Sequence, residues 1–191
     1  MRRAQQHRRL LAVAAITTTA AALTAGCTAE PSRIPPPASA SRPAVTPSIA
    51  DPQAEAKTKI LATYSAFWAE SVKAYEAGTE QGTKLVDYAA KDALNQTLTD
   101  IANMQRAGTT MKGAPGHRPE VSAVNLSGGQ PTATISDCFD LSTWKIIDRS
   151  SGQVRPFPTE QPMHYITVFD AELQGGRWML TKFVRHGDRT C

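Results

Sequence analysis

The apolar positions of this chain change their period partway along it. From Asp51 onward, Ile60, Leu61, Tyr64, Phe67, Trp68, Val72 and Tyr75 recur at helical spacing, so the stripe that would face a core is aromatic. Asp51-Pro52 has the form of a helix start, with a capping carboxylate and then a proline in the first helical position, and Gly78 suits the left-handed stop. Leu85, Val86 and Tyr88 predict a short second helix over Thr83 to Ala90. Ala93, Leu94, Leu98, Ile101 and Met104 predict a third over Asp92 to Ala107, ended by Gly108. Beyond it, Thr109 to Lys112 reads as a short extended piece and a period of two takes over. Glu120 to Leu126 alternates up to the turn Ser127-Gly128-Gly129. Thr132 to Asp140 alternates with Ala133, Ile135, Asp137 and Phe139 on one face and Thr134, Ser136 and Cys138 on the other. Trp144 to Asp148 predicts a short strand, and Pro156, Pro158 and Pro162 mark a loop. Met163 to Leu173 and Arg177 to Arg185 predict two long strands across Gly175-Gly176. Helices followed by an antiparallel meander predict an α+β domain over 53–191.

The segment before that domain follows other rules. Arg2-Arg3 and Arg8-Arg9 precede an apolar run, Leu10 to Ala25, which is short for a membrane span and has the shape of a signal peptide. Leu23-Thr24-Ala25-Gly26-Cys27 resembles the bacterial lipobox and departs from it at Thr24. The pattern predicts a lipoprotein signal peptide over 1–26 and acylation of Cys27. Such a protein is held by lipid at the extracytoplasmic face of a bacterial cell membrane. The other reading is a signal peptide cut elsewhere, leaving Cys27 as a free thiol. Residues 27–52 are rich in Pro, Ala and Ser, with seven prolines between Thr28 and Pro52. That composition cannot form a core and predicts a disordered tether. Extended, it would reach roughly 70 Å at about 3 Å per residue.

Charge and cysteines narrow the classes. The chain's net charge is +4. Residues 1–52 hold six arginines against Glu30 and Asp51, whereas 53–191 balance 15 basic against 15 acidic side chains. The domain therefore has no net field to attract nucleic acid. With Cys27 acylated, Cys138 and Cys191 remain of the chain's three cysteines, and in an oxidising compartment an even pair predicts one disulfide. Two unlinked buried thiols are the other reading. A metal site lacks enough ligands, and no cofactor is expected. The chain lacks the Gly-x-x-x-x-Gly-Lys-Ser/Thr, Gly-x-Ser-x-Gly and His-Glu-x-x-His patterns of common nucleotide, hydrolase and zinc-protease sites.

Several residues together carry a resemblance: Phe67-Trp68, the run Thr134-Ile135-Ser136-Asp137-Cys138 with Asp140, Trp144, the Gly175-Gly176-Arg177-Trp178 turn and the terminal Asp188-Arg189-Thr190-Cys191. Over 53–191 the chain resembles the nuclear transport factor 2-like superfamily, the cystatin-like α+β roll. More narrowly, it resembles small actinobacterial lipoproteins and secreted proteins of unassigned function with that fold. The resemblance implies three N-terminal helices packed in a strongly bent antiparallel sheet, with a cone-shaped pocket around the first helix. It gives Asp137 a precedent as a pocket base, as in the ketosteroid isomerases and polyketide cyclases of the roll. The plainer reading of Asp137 is a strand carboxylate that accepts backbone or arginine hydrogen bonds. Tyr64, Phe67 and Trp68 are candidates to line the cone, with plain core as the alternative. His164 reads as a rim residue, His117 as a turn residue without a partner, and His186 as solvated. Three functions follow: a non-catalytic, lipid-anchored module binding an envelope protein or a small apolar ligand; a cyclase- or isomerase-like enzyme; or a structural subunit of an envelope complex.

Overall fold

The computed structural model describes residues 51–191, so the expected signal peptide, Cys27 and most of the expected tether lie outside the described residues. Helix α1 runs over Pro52–Ala77 and helix α2 over Lys91–Arg106. Seven strands follow: β1 (Thr109–Lys112), β2 (Pro119–Asn125), β3 (Thr132–Asp140), β4 (Lys145–Asp148), β5 (Val154–Arg155), β6 (His164–Gln174) and β7 (Arg177–His186). Among the described residues, no helix is long and apolar enough to cross a membrane.

Helix α1 begins and ends where its local chemistry dictates. The Asp51 side chain accepts from the Gln53 amide at 2.9 Å, and Gly78 closes the helix in the left-handed region at φ 68°. Its buried stripe contains Ile60, Tyr64, Phe67, Trp68, Ala74 and Tyr75. These meet Ile135, Phe139, Tyr165, Phe169, Leu180 and Phe183 from the strands in one core cluster. Each large side chain so buried contributes on the order of 1.5–3 kcal/mol.

The architecture corrects the expected one in two respects. Among the described residues there are two α-helices, not three, because Thr83 to Ala90 forms only a 3₁₀ turn over Leu85–Asp87. The reason is competition for its backbone. Leu180 donates to the Tyr88 carbonyl at 2.9 Å, and the Ala90 amide donates to the Leu180 carbonyl at 2.8 Å. A parallel bridge to β7 thus takes the Ala90 amide, which a helix would direct to the Val86 carbonyl, and so short a helix has little cooperativity with which to resist.

The second correction concerns the sheet. The strands form two antiparallel sheets, in orders β2-β3-β6-β7 and β1-β4-β5, instead of one bent meander. The break lies just after β3. Asp140 Oδ1 accepts from the Ser142 amide at 2.8 Å, and the Trp144 amide donates to the Leu141 carbonyl at 3.0 Å. This pair of turns lifts the chain out of the first sheet, so β4 pairs with β1, Lys145 opposite Lys112. Gly113 permits the approach: at φ 83° it sits where a Cβ would run into the Thr143 carbonyl oxygen. In the larger sheet, β3 pairs with β6 from Thr132–Glu172 to Asp140–His164. Strands β6 and β7 join through Gly175-Gly176, both at positive φ, as a two-residue hairpin requires.

Candidate functional site

Two groups of residues have site-like geometry, and the Trp68 and Phe139 rings adjoin both. The first surrounds Asp137. Alternation along β3 turns this carboxylate inward beside Ile135 and Phe139, where it is wholly buried. Its oxygens are occupied. Oδ2 accepts from the Tyr64 hydroxyl at 2.6 Å and from His117 Nδ1 at 2.9 Å, and Oδ1 accepts from the Arg118 amide at 2.6 Å. We assign the shared proton to His117 Nδ1, the tautomer in which the ring donates to the carboxylate. The His117 ring packs against Trp68, centroids 4.7 Å apart, and its Nε2 is buried without a partner among the described residues. Burial and then the neighbouring Asp137 charge hold the Tyr64 hydroxyl far above the ordinary phenol range, so it stays a donor. The cluster ties α1, the turn before β2 and β3 together at one point. His117, expected to have no partner, has one in Asp137. His164 contacts Asp140 Oδ1 at 3.2 Å with its side chain half exposed.

The second group lines a cavity of about 350 Å³. Both helices and both sheets contribute to it: Trp68 and Tyr75 from α1, Asp100 and Met104 from α2, Met111 from β1, Phe139 from β3, Ile146 from β4, Tyr165 from β6 and Arg185 from β7. Leu141 and Trp144 come from the turn that separates the sheets, and Phe157 and Gln161 from the proline-marked loop. The aromatic rings brace one another edge-on, Tyr75 against Trp144 at 5.1 Å and Trp68 against Trp144 at 6.2 Å. Phe139 tilts over Tyr165 at 5.5 Å.

One part of the wall is polar. Arg185 Nη2 donates to Asp100 Oδ2 at 2.5 Å, and the Tyr75 hydroxyl approaches the same oxygen at 3.4 Å. The Gln96 amide, assigned with its oxygen toward the guanidinium, accepts from Arg185 Nη1 at 2.9 Å. The guanidinium also lies 4.8 Å over the Phe183 ring. Burial raises both phenols of the wall, Tyr75 and Tyr165, above their ordinary range; the Asp100 charge raises them further and Arg185 opposes. Both therefore stay protonated at neutral pH. No hydrogen bond restrains the Tyr165 hydroxyl among the described residues.

Of the residues expected to line a pocket, Trp68 does so. Tyr64 belongs to the Asp137 cluster and to a separate groove beside Pro115 and His117, and Phe67 is plain core at 1% exposure. Asp137 is not in the cavity wall, although Phe139, two residues on, is. Cys138 and Cys191 form a disulfide with Cα atoms 5.9 Å apart. Among the described residues, no three His, Cys, Asp or Glu side chains gather as metal ligands. Sequence reasoning missed Tyr75, Asp100, Tyr165 and Arg185 as a constellation.

No family model and no curated protein matches the chain. Among solved structures, the intermembrane space region of the chloroplast protein ARC6 is similar at a TM-score of 0.46 and 11% identity, covering 71% of this chain and 97% of that one.

Proposed function

We propose that the protein is a small-ligand-binding module held at the extracytoplasmic face of the cell membrane by acylated Cys27. The observation that carries the binding reading is the cavity: about 350 Å³, walled mainly by aromatic, aliphatic and Met side chains, with a smaller number of hydrogen-bonding groups among them. Small-molecule sites have this composition and span about 300–1,000 Å³. The enzyme reading with Asp137 as base has less support, because that carboxylate lies outside the cavity wall and accepts three hydrogen bonds.

The test uses naphthalene, a ring probe without polar groups, titrated into the full chain carrying Cys27→Ala and followed by tryptophan fluorescence. Saturable quenching is expected, because Trp68 and Trp144 line the cavity. Met104→Trp, which fills the space, should weaken it by about tenfold or more. Absence of saturation up to the probe's solubility, or equal binding by a folded Met104→Trp protein, would refute the site. Anchoring is tested by fatty-acid labelling, expected for the native chain and lost in Cys27→Ala; equal labelling of both removes the anchor from the proposal.

A further inference from the structure

The polar part of the cavity specifies what kind of head group a ligand should carry. This inference rests on the binding reading above and narrows it. Among the described residues, Asp100 and Arg185 are the only charged ones in the wall; with side chains 30% and 41% exposed, they neutralise each other through the Nη2–Oδ2 contact at 2.5 Å. A carboxylate on the ligand would face a guanidinium whose charge is already met, and would sit near a like-charged Asp100. An ammonium would meet the converse. Either ion would give up water without gaining an unmatched counter-charge, while the rest of the wall is mainly apolar.

A neutral hydroxyl meets no such mismatch. The hydrogen bonds from Tyr75 and Arg185 both fall on Asp100 Oδ2, so Oδ1 carries neither of them. Tyr165, 4% exposed, lines the cavity with an unrestrained hydroxyl and lies close enough to Asp100 and Arg185 to feel both charges. The wall, which also holds Asn103, Thr109, Gln161 and the indole N–H groups of Trp68 and Trp144, thus offers the Asp100 acceptor and the Tyr165 donor. A hydroxyl is the smallest group that uses both, donating to the carboxylate and accepting from the phenol. We propose that the cavity selects uncharged ring compounds bearing a hydroxyl group, and that the Asp100–Arg185 pair acts as its charge filter.

The experiment compares four probes with one ring system on the full chain carrying Cys27→Ala, at neutral pH: naphthalene, 2-naphthol, 2-naphthoate and 2-naphthylmethylammonium. 2-Naphthol is expected to bind about tenfold or more tightly than either ion. Asp100→Asn leaves the guanidinium unmatched and should raise affinity for 2-naphthoate about tenfold, while Arg185→Gln should do the same for the ammonium probe. The two variants test opposite signs, so either one suffices if the other does not fold. An ion that binds wild type as well as 2-naphthol does, or a folded variant that keeps the wild-type order, overturns the charge filter alone. If none of the four probes saturates, the binding reading itself falls and takes this inference with it.

Discussion

Replacing Cys191 by Ser should cost the domain much of its stability while leaving its helices and strands in place. The bond joins Cys138 on β3 to the residue beyond the β7 turn, at a sequence separation of 53. Chain entropy for a loop of that length gives about 4 kcal/mol, acting mainly by restricting the unfolded chain. The native side of the balance is small. The Arg189 carbonyl accepts from the Ile166 amide at 2.9 Å, and Gly187 to Cys191 are otherwise exposed. With the bond gone, that short tail frays, while the strand it is tied to remains paired on both sides, Cys138 to Ile166 and Pro119 to Asp137 marking the local register. For a domain of this size the loss corresponds to a fall in Tm of roughly 10–15 °C. Thermal unfolding followed by far-UV circular dichroism measures it, with wild type in reductant as a second route to the same state. Intact mass after alkylation without reduction should find Cys138 and Cys191 protected in wild type. A fall in Tm of less than about 3 °C, with the bond shown present in wild type by mass, would refute the loop-closure reasoning.

Asp137→Asn is expected to destabilise the domain by about 2–3 kcal/mol in urea, because an amide cannot accept at both oxygens and leaves buried donors unmet. Naphthalene binding should survive in the folded variant, because Asp137 itself is outside the cavity wall; a folded variant that loses binding, or one as stable as wild type, contradicts the purely structural role of Asp137. A third prediction concerns alkaline pH. Tyr64, Tyr75 and Tyr165 all have folded-state values raised by burial above the ordinary phenol value. Their contribution to stability is therefore complete below about pH 10 and is lost as pH rises from there toward the raised folded values. Phenolate absorbance from these three should appear together with loss of circular dichroism; ionisation of all three in a still-folded protein would be the contrary result.

What could be read from the sequence was local, and what could not was a matter of distant partners. The ends of α1 are set by Asp51, Pro52 and Gly78 themselves, so their signal sits within the residues that form them. The β6–β7 hairpin is equally local, because Gly175-Gly176 supplies the positive φ that its turn needs. Thr83 to Ala90 misled because Leu85, Val86 and Tyr88 are apolar enough for a helix. Nothing near them reveals that Leu180 claims the Tyr88 carbonyl and the Ala90 amide. The second sheet was hidden for a related reason. β4 and β5 are four and two residues long, too short to show a period, and the pairing of β4 with β1, on which β5 adds as the outer strand, follows from the Asp140–Ser142 turn instead of any apolar pattern.

The candidate site divides along the same line. The disulfide was legible because counting leaves Cys138 and Cys191 as a pair, and Trp68 because it lies on the aromatic stripe. Asp100 and Arg185 were not: 85 residues apart, each looks like an ordinary solvated charge on its own element. Asp137 did leave a usable signal. A carboxylate on the face that alternation assigns to Ile135 and Phe139 must either sit at an edge or find several donors, since burying it unpaired is too costly. Full burial selects the second case and requires donors from elements packed against β3. Tyr64 on the inner stripe of α1 and His117 in the turn leading into β2 meet that requirement. The same reasoning separates structure from function here. A carboxylate surrounded by donors is held in place, whereas Asp100, with an oxygen that neither Tyr75 nor Arg185 occupies, and Tyr165, with an uncommitted phenol, both line a cavity, and uncommitted groups are the ones available to a ligand.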